Sequence, residues 1–225
     1  MPRSLMIPVF LLSLLLTIGC QERPWNKPRS LKQTHAVVKR LTVAGQFEKA
    51  LELIEKAIKE NPGNAKSFFI KGNVLFTAKK YPESLKAFNQ ATFVDADYAE
   101  AWLGGAFASH MLGNQINLAK YLQSSREAFQ LRLEHTDQWD MKYRIQKTYE
   151  TKLHIAIILA LQGHKGAAKT QLAMLQKAYP DIASVNMWIK LINQGLLLDA
   201  LIQQKTNFDN TASTPIKTVA GQGGK

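Results

Sequence analysis

Apolar residues return every three or four positions along most of this chain, the rhythm of a helix with one buried face. Phe47, Ala50, Ile54 and Ala57 show it, and Met141, Ile145, Tyr149, Leu153 and Ile157 recur at every fourth position. No run alternates apolar and polar residues over any length, so the spacing predicts an all-α chain. The pattern also repeats as a whole at a period of about 34 residues. The first copy, Leu31 to Asn64, carries Gly45, Phe47, Ala50, Ile54, Ala57 and Pro62. The second, Ala65 to Tyr98, opens with Phe68, Gly72 and Leu75 and continues with Lys79, Tyr81, Ser84, Phe88, Ala91 and Ala96.

The third copy begins with Ala99, Glu100, Ala101 and Trp102, passes Ala106 and turns at Gly113. It is degraded beyond the turn: Asn114 to Leu118 lacks the aromatic residue, and the alanine slips to Ala119. The fourth, Tyr149 to Ile182, shows Leu159, Gly163, Ala168, Leu172, Leu175 and Pro180. An insertion at about 132–148 separates the third and fourth copies, and its four-residue spacing predicts a longer first helix in the fourth. A last apolar helix is expected over 183–204, with Trp188, Leu191, Ile192 and Leu198, as a cap on the stack.

These positions have physical roles. Small residues (Ala50, Gly72, Ser84, Ala168) belong where two helices come closest, and large ones (Phe47, Phe68, Tyr81, Trp102) fill the space beside them. Glycine ends a helix because it accepts the left-handed conformation of the C-cap. Pro62 and Pro180 stop a second helix because proline cannot continue one, and Asn64 is placed to cap the next helix. In this sum of features the stretch from Leu31 to Ile182 resembles tetratricopeptide repeats. The fold implied is a short α-solenoid of stacked helical hairpins over 31–204, with a C-terminal capping helix.

The resemblance implies a concave wall built from the first helix of each hairpin. Its inward positions are Lys32, His35 and Lys39 in the first copy, Phe69, Asn73 and Phe76 in the second, and Leu103, Phe107 and His110 in the third. Aromatic and basic groups together suit an extended or helical segment with apolar anchors and acidic residues. One tetratricopeptide subgroup clamps C-terminal carboxylates with Lys and Asn. Asn73 fits that pattern, but Glu100 stands where the clamp needs a lysine, so that mode is rejected.

The N-terminus is patterned differently. Arg3 precedes an apolar run that ends in small residues at Gly19-Cys20, the layout of a secretory leader and too short to span a bilayer comfortably. Leu16-Thr17-Ile18-Gly19-Cys20 resembles a bacterial lipobox, and the only cysteine of the chain sits where that motif requires it. The resemblance implies a leader at 1–19, diacylglycerol on the Cys20 sulfur and acylation of the new amine. Multiple acyl chains anchor stably where one does not. Gln21, in place of an aspartate, implies the outer membrane facing the periplasm of a Gram-negative cell. Residues 20–30, with two prolines, read as a lipidated tether, and 205–225, rich in Thr, Ser, Asn and Gly, as a disordered tail.

Charge adds one feature. The chain carries +12, and loss of Arg3 with the leader leaves 28 Lys and Arg against 17 acids, or +11. Such a surface attracts anionic lipid, acidic partners or nucleic acid. The basic residues form no long run, and export disfavours nucleic acid. Chemistry is harder to find. Gly163-His164-Lys165-Gly166-Ala167-Ala168-Lys169-Thr170 imitates a phosphate-binding loop, but Ala168 replaces the second glycine and a helix precedes it where a strand is needed. The five histidines (His35, His110, His135, His154, His164) have no zinc spacing and no cysteine partner. His135, Asp137 and Asp140 read as a polar connection.

No catalytic residue, metal or cofactor is nominated, and binding is expected in place of catalysis. The expected role is a membrane-anchored scaffold for other envelope proteins or peptides, in assembly of a complex such as a pilus or secretion apparatus. Alternatives are an adaptor for cell-wall hydrolases or an enzyme with an unrecognised site.

Overall fold

The computed structural model describes residues 30–135, 140–180 and 184–206. Within them the chain is helical and holds no strand: α1 (Leu31–Val43), α2 (Phe47–Glu60), α3 (Ala65–Thr77), α4 (Tyr81–Val94), α5 (Ala99–Met111), α6 (Gln115–Glu134), α7 (Met141–Leu161), α8 (Lys165–Ala178), α9 (Ser184–Gln194) and α10 (Leu197–Thr206). The expected leader, Cys20 and the tail from 207 onward lie outside the described residues. Helices pair in order as hairpins, α1 with α2 through α7 with α8, and each hairpin packs on the next. This is the solenoid of stacked helical hairpins that the repeat predicts, and among the described residues no helix is long and apolar enough to cross a membrane.

The turns show why the hairpins form. Each first helix ends with a paired closure in which two backbone N–H groups reach back to the last turn. In the first hairpin the Gln46 amide donates to Leu41 O (2.9 Å) and Gly45 to Thr42 O (3.0 Å). The same pair recurs at Lys79–Lys80, Gly113–Asn114 and His164, where His164 donates to Leu159 O (2.8 Å). The motif needs a left-handed residue, supplied by Gly45 (φ 70°), Gly113 (φ 71°) and Gly163 (φ 88°). In the second hairpin Lys79 takes it at φ 60°, alone among the described non-glycine residues in having a positive φ. A side chain there costs roughly 1–2 kcal/mol. At the other end, Asn64 Oδ1 accepts the Ser67 amide (2.9 Å) and Asn114 Oδ1 the Asn117 amide (3.0 Å), capping α3 and α6.

Close approach between hairpins is set by glycine. Phe88, fully buried on α4, lies between Gly72 of α3 and Gly104 of α5; a Cβ on either would stand 2.6 Å from its ring carbons. Ser84 Oγ donates to Gly72 O (2.8 Å) at the same crossing. The third hairpin solves the problem differently from its sequence expectation. Ala119 is exposed, and the contact falls one turn away, where a Cβ on Gly105 would lie 2.9 Å from the ring of Tyr121. The Tyr121 ring is tilted against Trp102 (5.8 Å), and its hydroxyl donates to Asn89 Oδ1 (2.5 Å) on α4.

Two other expectations are modified. The insertion lengthens α7, as its spacing predicts, and also α6, which runs 20 residues against 14 in α2 and α4. The apolar stretch over 183–204 is not one helix. Gly195 (φ 71°) closes α9 with the same paired turn, Leu196 donating to Leu191 O (3.1 Å), and α10 sets off in a new direction.

Candidate partner-binding groove

The first helices of the hairpins lie on the inner side of the stack. α1 packs on α3 and α3 on α5, whereas α2 approaches α4, and α4 approaches α6, less closely. A stack whose one set of helices is closer together must curve toward that set. The inner wall is therefore α1, α3 and α5, the helices that carry the residues picked out by the repeat register.

Those residues divide into three groups. Lys32 and Lys39 are exposed on α1, and Phe69 is half-buried, its ring edge-on to Tyr98 (5.2 Å) and tilted against Phe88 (5.9 Å). His110 is half-buried at the end of α5, and its Nδ1, shielded from solvent, makes no hydrogen bond among the described residues. His35, Asn73, Phe76, Leu103 and Phe107 are buried, Phe76 completely. An open wall was expected at these five positions, and in the structure they are covered.

Over the cluster that holds Phe76, part of the cover is α10. This helix packs on α9, and also on α3 of the inner wall and on α7. Leu198, Leu201 and Ile202, spaced at i, i+3 and i+4 along one face, pack on the cluster that holds Phe76, Leu103, Phe107 and Ile158. On α5, Ala99, Ala101 and every residue from Leu103 to Ser109 are buried. A helix apolar all round must be covered all round, and α3, α4 and α6 all pack on it.

His35 is held by a different contact. Ser67 Oγ donates to Asn64 Oδ1 (3.1 Å), so at Ser67 the histidine Nε2–H is the donor (2.9 Å). The chain of bonds ties α1 to the cap of α3. Burial and, secondarily, nearby Lys66 push the His35 pKa down, which keeps the ring neutral.

A cleft of about 560 Å³ opens at the edge where second helices lead into first helices, lined in part by Asn64, Lys66, Tyr98, Glu100, Arg132 and Lys147. Its centre is a fork of two parallel bonds, Arg132 Nη1 and Nη2 to Glu100 Oε1 and Oε2 (2.7 and 2.8 Å). Burial alone would raise the Glu100 pKa, but the guanidinium outweighs it and holds the carboxyl below its ordinary value. Arg132 also lies over Phe129 (5.0 Å), which stacks on His154 (4.8 Å). Burial keeps His154 neutral and pushes the Tyr98 phenol up. Glu100 is thus held as a carboxylate paired with Arg132. This ion pair bridges residues 32 apart, and nothing in the repeat pattern marks it. Among the described residues no group of His, Cys, Asp or Glu is placed to hold a metal ion.

Fold and groove together define a helical-hairpin solenoid whose inner wall seats a helix. No known family and no curated protein matches the sequence. Among solved structures the chain is similar to MamA, described as "Crystal structure of MamA protein", with 16% identity over 78% of this chain and 89% of that one (TM-score 0.45). It is similar also to YrrB, described as "a TPR protein with an unusual peptide-binding site", with 17% identity over 78% and 84% (TM-score 0.43).

Proposed function

We propose that this chain is a lipid-anchored scaffold that holds a helical segment of a partner protein in its inner groove, and that it serves assembly of an envelope complex such as a pilus or secretion apparatus. The observation that supports the groove is α10, a helix of this chain that packs on α3 and α7, the kind of segment such a wall would take. A bound partner would present apolar residues at i, i+3 and i+4, as Leu198, Leu201 and Ile202 do. The anchor is supported by the lipobox-like run ending in Cys20, and the outer membrane facing the periplasm by Gln21.

The groove is tested with a peptide of the α10 sequence, Leu196 to Thr206. A chain ending at Gln194 should bind it, and the intact chain should bind it at least tenfold more weakly, because the tethered helix competes at an effective concentration in the millimolar range. Failure of the folded, shortened chain to bind would refute the groove reading. The anchor is tested separately by palmitate labelling, which Cys20→Ser should abolish.

A further inference from the structure

The four turns within hairpins lie along one edge of the solenoid, and the links between hairpins lie along the other. The two edges differ in charge. Taking each turn with the five residues on either side, the first edge holds Lys39, Arg40, Lys49, Lys79, Lys80, Lys165 and Lys169 against Glu48 and Glu83, seven bases to two acids. Counted likewise among the described residues, with the first five residues of α1 and the last five of α8, the linking edge holds eight bases and six acids.

The basic edge has two further properties. Val43, Met111, Leu112 and Ile116 are exposed on it, Ile116 to 83%. And Lys79 occupies a left-handed turn position that glycine fills in the other three hairpins. A backbone strain retained at an exposed tip, next to a second lysine at Lys80, points to a use for the charge there.

We infer that this edge docks on an anionic lipid surface. Arg40, Lys79, Lys80, Lys165 and Lys169 meet headgroup phosphates, while Met111, Leu112 and Ile116 enter the boundary beneath them. Basic and apolar side chains interleaved on one edge suit an interface that is charged outside and oily within. A nucleic acid offers the charge but no layer for Ile116. The surface is independent of the lipid anchor. An anchor at Cys20 is compatible with it, since eleven residues, 20–30, extend to roughly 36–40 Å and α1 is only about 20 Å long.

The test uses the chain from Gln21 to Lys225 without lipid, which keeps the whole compact unit beginning at Leu31. It should sediment with phosphatidylcholine vesicles that contain phosphatidylglycerol and not with pure phosphatidylcholine. At about fivefold per lysine, Lys79→Gly with Lys80→Gln should weaken binding about 25-fold. Lys59→Gln with Lys177→Gln removes the same charge from the linking edge and should leave binding within about twofold. Ile116→Asp, on a side chain outside the core, should also weaken it. Equal losses from the two lysine pairs would reduce the effect to net charge and overturn the proposal. So would no binding to anionic vesicles, or binding to duplex DNA in place of vesicles. Because Lys79→Gly relieves strain, its loss of binding cannot be blamed on unfolding; a lowered urea midpoint for that variant would contradict the argument from the turn.

Discussion

Gly72→Ala tests whether the glycines around Phe88 set the distance between hairpins. The new Cβ would sit 2.6 Å from Cδ1 and Cε1 of the ring and 3.0 Å from Cζ, where carbon atoms rest at about 3.5–4.0 Å. The ring has to move by nearly an ångström. It has little room to retreat, because it is fully buried and the Gly104 backbone also approaches it closely enough to leave no space for a Cβ there. Overpacking of this kind costs about 1–3 kcal/mol. Against it stands the better helix propensity of alanine, about 1 kcal/mol. The net expectation is a destabilisation of up to about 2 kcal/mol, read as a lower urea midpoint with unchanged slope. Gly166→Ala is the control. A Cβ there meets nothing within 4 Å, so the same substitution on α8 should stabilise by about 0.5 kcal/mol. Adding Phe88→Leu to Gly72→Ala should recover part of the loss, and the two sites should be non-additive. If Gly72→Ala stabilises as Gly166→Ala does, the close-packing argument is wrong.

Lys79→Gly should stabilise the fold by about 1 kcal/mol by removing left-handed strain, measured by urea unfolding. Arg132→Met leaves Glu100 half-buried without its fork and should cost about 1–2 kcal/mol, less than a fully buried pair because both side chains keep some solvent; the double variant Arg132→Met with Glu100→Gln should cost less than Arg132→Met alone. His35 and His154 both have pKa values lowered by burial, so the unfolded chain takes up their protons first, near pH 6.5. Their contribution is intact above that value and is lost as pH falls toward the folded pKa values. The urea midpoint should therefore decline as pH falls below about 6.5, and His154→Phe should flatten part of that decline.

What was legible in the sequence was local. The hairpins, their turns and the Asn64 cap lie within a few residues of their causes, so period and residue type reveal them. Lys79 stood visibly in the place of a glycine, though only its φ shows that it accepts the strain. The inner wall was located by register, but its openness was not. Phe76 and Phe107 have the same spacing whether they face a groove or a helix, and the helix that covers them comes about 90 or more residues later. The break at Gly195 was likewise hidden, because an apolar stretch with one glycine reads equally well as one helix or two. Glu100 and Arg132 meet only once α5 and α6 have paired.

The fold-back of α10 changes how the molecule holds together. In a plain solenoid each repeat leans only on its neighbours, so the array can fray from an end and folding can begin anywhere. Here the last helix grips one of the earliest, joining Leu197–Thr206 to Ala65–Thr77, and turns an open row into a closed ring of dependencies. During synthesis the inner flank of α3 lacks this contact until α10 has emerged. Removing ten residues near the C-terminus would thus loosen the centre of the protein, not its edge.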